Sequence, residues 1–179
     1  MTEEPPPCPC ERDAPEGAPG PVEDTETVIR FVPSTAWIAW DEAGQAKLRP
    51  AAFPQDELQG GKGKSVSVLR GMTPPEEVAQ RAATRTRESA WSGNPATAAA
   101  LVLTLRQLLD QRERREICIN ADPVDTELGF CSTHASILRA DPPLDKTQRL
   151  AWAILRLKLA TAFGHAMHCS GQPVAPLQP

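Results

Sequence analysis

Residues 116–139 read EICINADPVDTELGFCSTHASILR, and this stretch limits the fold more than any other. Ile117 and Ile119 alternate with Cys118 and Asn120, which gives a strand with one apolar face. Pro123 stops that strand, and Val124 to Gly129 reads as an acidic loop. Thr133 to Arg139 resumes the alternation, with His134, Ser136 and Leu138 on one face and Ala135 and Ile137 on the other. The two runs are expected to be antiparallel neighbours joined by a loop longer than a tight hairpin. Glu26 to Pro33 (ETVIRFVP) is apolar on both faces, as an interior strand would be. Ser65 to Arg70 (SVSVLR) alternates with Val66 and Val68 inward.

Helical signals lie between these runs. Thr73-Pro-Pro-Glu76 pairs an N-cap threonine with a first-turn proline and a capping-box glutamate, which predicts a basic surface helix to about Trp91. Asn94-Pro95 opens a second predicted helix carrying Ala98, Leu101, Val102, Leu105, Leu108 and Leu109. Its rival reading is a strand over Ala99 to Thr104. Arg112, Arg114 and Arg115 would follow that helix and favour its negative end. Asp145 is expected to cap a third helix through LAWAILRLKLATAF, with Leu150, Ile154, Leu157 and Thr161 in one row and Ala151, Leu155 and Leu159 beside it. An arc this broad predicts burial against a sheet. The fold class is therefore α+β, a small sheet of three or four strands packed against about three helices.

The ends differ from the middle. Residues 1–25 contain PPP, PCPC and APEGAPGP and cannot bury enough apolar surface to order themselves, so they read as a disordered acidic arm. Met1 to Glu26 holds eight acidic residues and one arginine, whereas the rest of the chain carries a small basic excess. Residues 26–169 form one domain, and 170–179 a flexible Pro-rich tail. No run approaches the ~18 apolar residues of a membrane span. The acidic N-terminus lacks the basic and apolar regions of a signal peptide. Five cysteines without a secretory signal read as reduced thiols in a cytoplasm. The richness in Ala, Arg and Pro resembles a high-GC bacterial gene.

Four constellations could carry chemistry. Asp122, Asp125, Glu127 and His134 could hold Mg²⁺ or Mn²⁺ for hydrolysis of a phosphodiester, and turn capping plus solvation is the plainer account of them. Cys131 and His134 with His165 and Cys169 could hold zinc, provided the last helix runs past Gly164. Against this, Cys8-Pro-Cys10 is too tightly spaced for half a zinc site. Cys131 or Ser132 could act as nucleophile with His134, although adjacent strand residues face opposite ways and only Ser132 would share the histidine's face. Basic residues Lys62, Lys64, Arg81, Arg85 and Arg87 are too sparse for phosphate neutralisation, which speaks against nucleic acid. Gly63-Lys64-Ser65 lacks the earlier glycine of a phosphate-binding loop, because Leu58 stands there. Trp37 and Trp40 are expected to anchor the core rather than form a stacking surface.

The leading expectation is a non-catalytic bacterial accessory or adaptor protein that binds another protein and needs no cofactor. Its binding surface would comprise Arg81, Arg85, Arg87, Arg112, Arg114 and Arg115. A metal-dependent hydrolase or nuclease is the alternative, and a small structural-zinc domain the second.

Overall fold

The computed structural model describes residues 10–60, 63–85, 94–140 and 147–176. Its centre is a six-stranded antiparallel sheet. The strands are β1 (Thr27–Val32), β4 (Val66–Arg70), β5 (Ala96–Leu101), β6 (Ile117–Ala121), β9 (His134–Arg139) and β10 (Met167–His168). They lie in the order β10-β5-β1-β4-β9-β6. Two small hairpins, β2 (Ile38–Trp40) with β3 (Ala46–Leu48) and β7 (Val124–Thr126) with β8 (Gly129–Cys131), stand apart from it. The helices are α1 (Gln55–Leu58), α2 (Pro75–Arg85), α3 (Val102–Arg106) and α4 (Arg149–Ala162). No described helix is long and apolar enough to cross a membrane.

The sheet has six strands where the sequence suggested three or four, and the main reason is Ala96–Leu101. The Asn94–Leu109 helix predicted from apolar spacing is instead strand β5 followed by the short helix α3. Alanine has the highest helix propensity, but propensity is a weak prior and tertiary pairing overrides it here. All six residues of β5 pair with β1, from Thr27 opposite Leu101 to Val32 opposite Ala96. The small side chains of Ala96, Ala98 and Ala100 leave room for the layer that covers them, and all three are buried. The remaining strand, β10, pairs with β5 from a segment beyond Gly164, which the last helix would have entered only to build the zinc site.

One sheet face carries the core. Val28, Val32, Val66, Val68, Ala135, Ile137, Ile117 and Ile119 point into it and are buried. Across from them pack Ile38, Phe53, Leu58 and the inner row of α4, which is Trp152, Leu155, Leu159 and Ala160. The predicted row Leu150, Ile154 and Leu157 faces outward instead, with Leu150 75% exposed. Both rows have helical spacing, and Trp152 decides between them because it buries the largest area. The helix ends at Ala162, two residues before Gly164. Asp145 and the end of the α2 prediction at Trp91 lie outside the described residues.

Arg30 crosses this core. It donates to the carbonyls of Ser67 and Ala52 and pairs with Glu57, with its guanidinium 5.1 Å from the ring centre of Trp37. A buried cation needs such a set of partners to offset its lost hydration. Trp37 and Trp40 are partly buried against the core, and the Trp40 indole donates to the Val174 carbonyl.

Residues 10–25, read from sequence as a disordered arm, pack against the body. Cys10 is disulfide-bonded to Cys118 on β6, with Cα atoms 6.0 Å apart. This replaces the expectation of reduced thiols for two of the five cysteines; Cys131 and Cys169 are free. Glu11 pairs with both Arg106 and Arg115, and its carboxylate also accepts from the Ile119 amide. Arg70 pairs with Glu26 and donates to the carbonyls of Gly20 and Pro21. Three carboxylates, those of Glu11, Asp24 and Glu26, are thus spent on buried arginines of the same domain.

Candidate active site

The second sheet face is more polar. Cα register places Ser67 opposite Ser136 and Leu69 opposite His134 in the β4–β9 pair. Ser67 and His134 are therefore diagonal neighbours on one face, within side-chain reach. Ser67 Oγ lies 2.5 Å from His134 Nε2. His134 Nδ1 lies 2.5 Å from the carbonyl oxygen of Asp122. A carbonyl oxygen only accepts, so Nδ1 carries the proton. The neutral ring then presents a lone pair at Nε2, and the Ser67 hydroxyl donates to it.

The ring's environment keeps it neutral. His134 is largely buried, and that burial pushes its pKa below the ordinary imidazole value. The Asp122 carbonyl and carboxylate pull the other way, while Arg85 and Arg81 add to the depression. The Asp122 carboxylate sits 3.8 Å from Nδ1 and accepts a hydrogen bond from the Ser136 hydroxyl. Ser136 also contacts the Ser65 hydroxyl at 2.7 Å. Asp122 is thereby fixed by β9 itself, and its amide donates to the His134 carbonyl.

A cavity of about 360 Å³ opens over Ser67 and His134. Phe31, Leu69, Val124, Leu128 and Cys131 form the apolar part of its lining. One wall is α2, with Arg81, Thr84 and Arg85; the other is the β7–β8 hairpin. Arg81 fastens the two walls together. It pairs with Glu77 on its own helix and donates to Thr126 Oγ1 across the gap. The hairpin turns tightly because Gly129 takes a φ of +92°, a left-handed conformation that suits glycine. Thr126 Oγ1 accepts from the Leu128 amide and donates to the Gly129 carbonyl.

The sequence-predicted residues fare differently. Asp122 and His134 are adjacent, and Asp125 and Glu127 line the same cavity from the hairpin. Among the described residues no group of three or more His, Cys, Asp or Glu side chains gathers as a metal ion would require. The proposed zinc set is dispersed. His165 faces Asp41 at 3.7 Å, because α4 ends before it. Cys131 contacts Thr133 Oγ1 at 3.8 Å and belongs with Leu69 and Val78 to a small apolar cluster against which Cys169 packs, so the two cysteines lie in one cluster and His165 elsewhere. Both ring nitrogens of His134 are already engaged.

Among the described residues, the arginines of the predicted binding surface have different partners. Arg81 is buried between helix and hairpin, and Arg85 lies 5.9 Å from the ring centre of Phe31. Arg115 is buried on Glu11 and Arg114 pairs with Asp110 in a loop closed by the Leu109–Arg115 bridge. That loop follows β5 and α3, so the predicted helix C-terminus beside Arg112, Arg114 and Arg115 does not exist. Arg87 lies outside the described residues.

Ser67 was missed by sequence reasoning. Its only signal was position: with Val66 and Val68 inward, it had to point to the face opposite the core. Pairing it with His134 required knowing that β4 and β9 are neighbours. Compared with known proteins, the chain significantly matches no family model, no curated protein and no solved structure.

Proposed function

We propose that this protein is a hydrolase of small acyl substrates in which Ser67 is the nucleophile and His134 the general base. The hydrogen bond from Ser67 Oγ to His134 Nε2, with its direction set by the Asp122 carbonyl, carries the reading. Serine is a weak nucleophile until a base takes its proton, and a neutral imidazole within hydrogen-bond reach supplies that base. Ser67 Oγ attacks the acyl carbon while its proton passes to Nε2. His134 returns that proton to the leaving group, leaving an acyl-Ser67 ester. A water molecule, deprotonated by His134, then releases the acid and restores the serine. The Asp122 carbonyl holds the ring in the tautomer this needs, and its carboxylate favours the imidazolium that forms transiently.

The test is the release of p-nitrophenol from p-nitrophenyl butyrate. The wild-type protein is expected to show a burst stoichiometric with protein, followed by slower turnover. Ser67→Ala and His134→Gln should each remove the burst. Ser132→Ala, outside the cavity lining, should keep it. Turnover that survives Ser67→Ala sinks the proposal.

A second reading retains an accessory protein that binds another protein. It is supported by the outward row Leu150, Ile154 and Leu157 on α4, all exposed. Leu150→Asp with Leu157→Asp should abolish capture of such a partner while leaving the melting temperature in place. For localisation, the Cys10–Cys118 bridge favours an oxidising compartment over the cytoplasm expected from sequence.

A further inference from the structure

The two walls of the cavity carry opposite charge. On α2, Arg81 spends its guanidinium on Glu77 and the hairpin threonine, but Arg85, one turn on, pairs with no carboxylate among the described residues. Its guanidinium carbon lies over Phe31, within the cavity lining. Across the gap, Asp125 and Glu127 line the cavity from the hairpin, and both are exposed. No basic side chain pairs with either among the described residues. Ser67 and His134 are also in this lining, between helix and hairpin. A ligand reaching Ser67 therefore lies in a field running from cation to carboxylates.

Like-charge juxtaposition rejects a ligand more strongly than matched charge attracts it. A purely anionic ligand would meet Asp125 and Glu127, and a purely cationic one would meet Arg85. The cavity of about 360 Å³ is near the lower limit for a small-molecule site, so both ligand charges must sit close to the reacting carbonyl. We propose that the site selects a zwitterionic acyl substrate of about amino-acid size, with its negative group toward Arg85 and its ammonium toward Asp125 and Glu127. This deepens the reading of Ser67 as nucleophile and rests on it. Arg85, Asp125 and Glu127 are specificity residues, and the chemistry itself stays with Ser67 and His134.

Four acyl groups of matched length separate the charges. As p-nitrophenyl esters they are butyryl, glutaryl, 4-aminobutyryl and γ-glutamyl. They are neutral, anionic, cationic and zwitterionic in that order. The γ-glutamyl ester is expected to have the highest kcat/KM, roughly tenfold or more above butyryl. Arg85→Gln should bring the glutaryl-to-butyryl ratio toward that of an uncharged wall. Asp125→Asn with Glu127→Gln should do the same for the 4-aminobutyryl-to-butyryl ratio. The matching amides, butyramide, glutaramate, 4-aminobutyramide and glutamine, are titrated calorimetrically against the full chain. Glutamine should bind most tightly, and each wall substitution should remove its own charge preference. Equal affinity across the four amides, a singly charged amide matching glutamine, or preferences unmoved by the substitutions would each overturn the charge selection. If no ester is turned over, the nucleophile reading fails, and the amide titrations still decide whether the walls select a dipolar ligand.

Discussion

The carbonyl oxygen of Asp122 lies 2.5 Å from Nδ1 of His134, and the Asp122 amide donates to the His134 carbonyl. The histidine is thus held at backbone and side chain by one residue at the end of β6. That fixes the tautomer, and the tautomer makes Nε2 an acceptor for Ser67. The arrangement relates to a catalytic triad, with a main-chain carbonyl in the orienting place and the carboxylate one step further out.

The pH profile of kcat/KM should carry the mark of this histidine. Burial is the largest influence on His134 and lowers its pKa from the ordinary 6.5. The base therefore stays neutral to lower pH than an ordinary imidazole would. Activity should fall on a single acid limb with its midpoint below 6.5. Stability runs in the same direction. A group with a depressed folded pKa contributes stability above its unfolded value, and that contribution is lost as pH falls toward the folded one. His134→Gln should abolish the burst and flatten the acid dependence of unfolding over that window. A limb centred above pH 7 would contradict the burial argument.

The Cys10–Cys118 bridge spans 108 residues, so its loss should be costly. Closing a loop of this size is worth about 5 kcal/mol in the chain-entropy account. Cys118→Ser should lower the unfolding free energy by up to that amount in denaturant titrations. Alkylation in denaturant without reductant should modify Cys131 and Cys169 and spare Cys10 and Cys118. Equal labelling of all four would show that the bridge is absent.

Arg30 ties the core to the site. It donates to the Ser67 carbonyl from the core side of the sheet while Ser67 Oγ faces His134 on the other. Arg30→Met removes the charge and leaves the carbonyls of Ser67 and Ala52 and the Glu57 carboxylate short of partners. The expected cost is about 3 kcal/mol, read by urea denaturation. A change below ~1 kcal/mol would mean that water replaces the guanidinium.

On α4 the two leucine rows should separate by stability. Leu155 and Leu159 are fully buried, and Leu155→Ala or Leu159→Ala should cost about 3 kcal/mol. Leu150→Ala should change stability by less than ~0.5 kcal/mol, since Leu150 is 75% exposed. The opposite ranking would place the predicted row inside.

Much of the sheet was legible because strand alternation is local. The β6–β9 pairing, the inward Val66 and Val68, and the interior position of β1 follow the pattern of their own residues. β5 was legible only as the rival to a helix, placed at Ala99–Thr104 rather than Ala96–Leu101, because alanine carries helix propensity and only partner strands on both sides make it extended. On α4 the predicted apolar arc was too broad: its Leu155 and Leu159 are buried, whereas its Leu150, Ile154 and Leu157 face outward, and the choice depends on what lies opposite Trp152. In the site, His134 and Asp122 were visible as a nearby pair. Ser67, 67 residues before its partner, needed the strand order. The packing of residues 10–25 was not legible because their composition says nothing of Arg70, Arg106 and Arg115, which are buried against their oxygens and carboxylates.

The most direct test of the account is covalent trapping of the nucleophile. The full chain is treated with a small fluorophosphonate, and the adduct is located by peptide mass spectrometry. Ser67 should carry it stoichiometrically, and the His134→Gln variant should react at least roughly a hundredfold more slowly, as expected for loss of a general base. Labelling that spares Ser67, or that proceeds equally without the imidazole, would contradict the central claim that this serine is activated by this histidine.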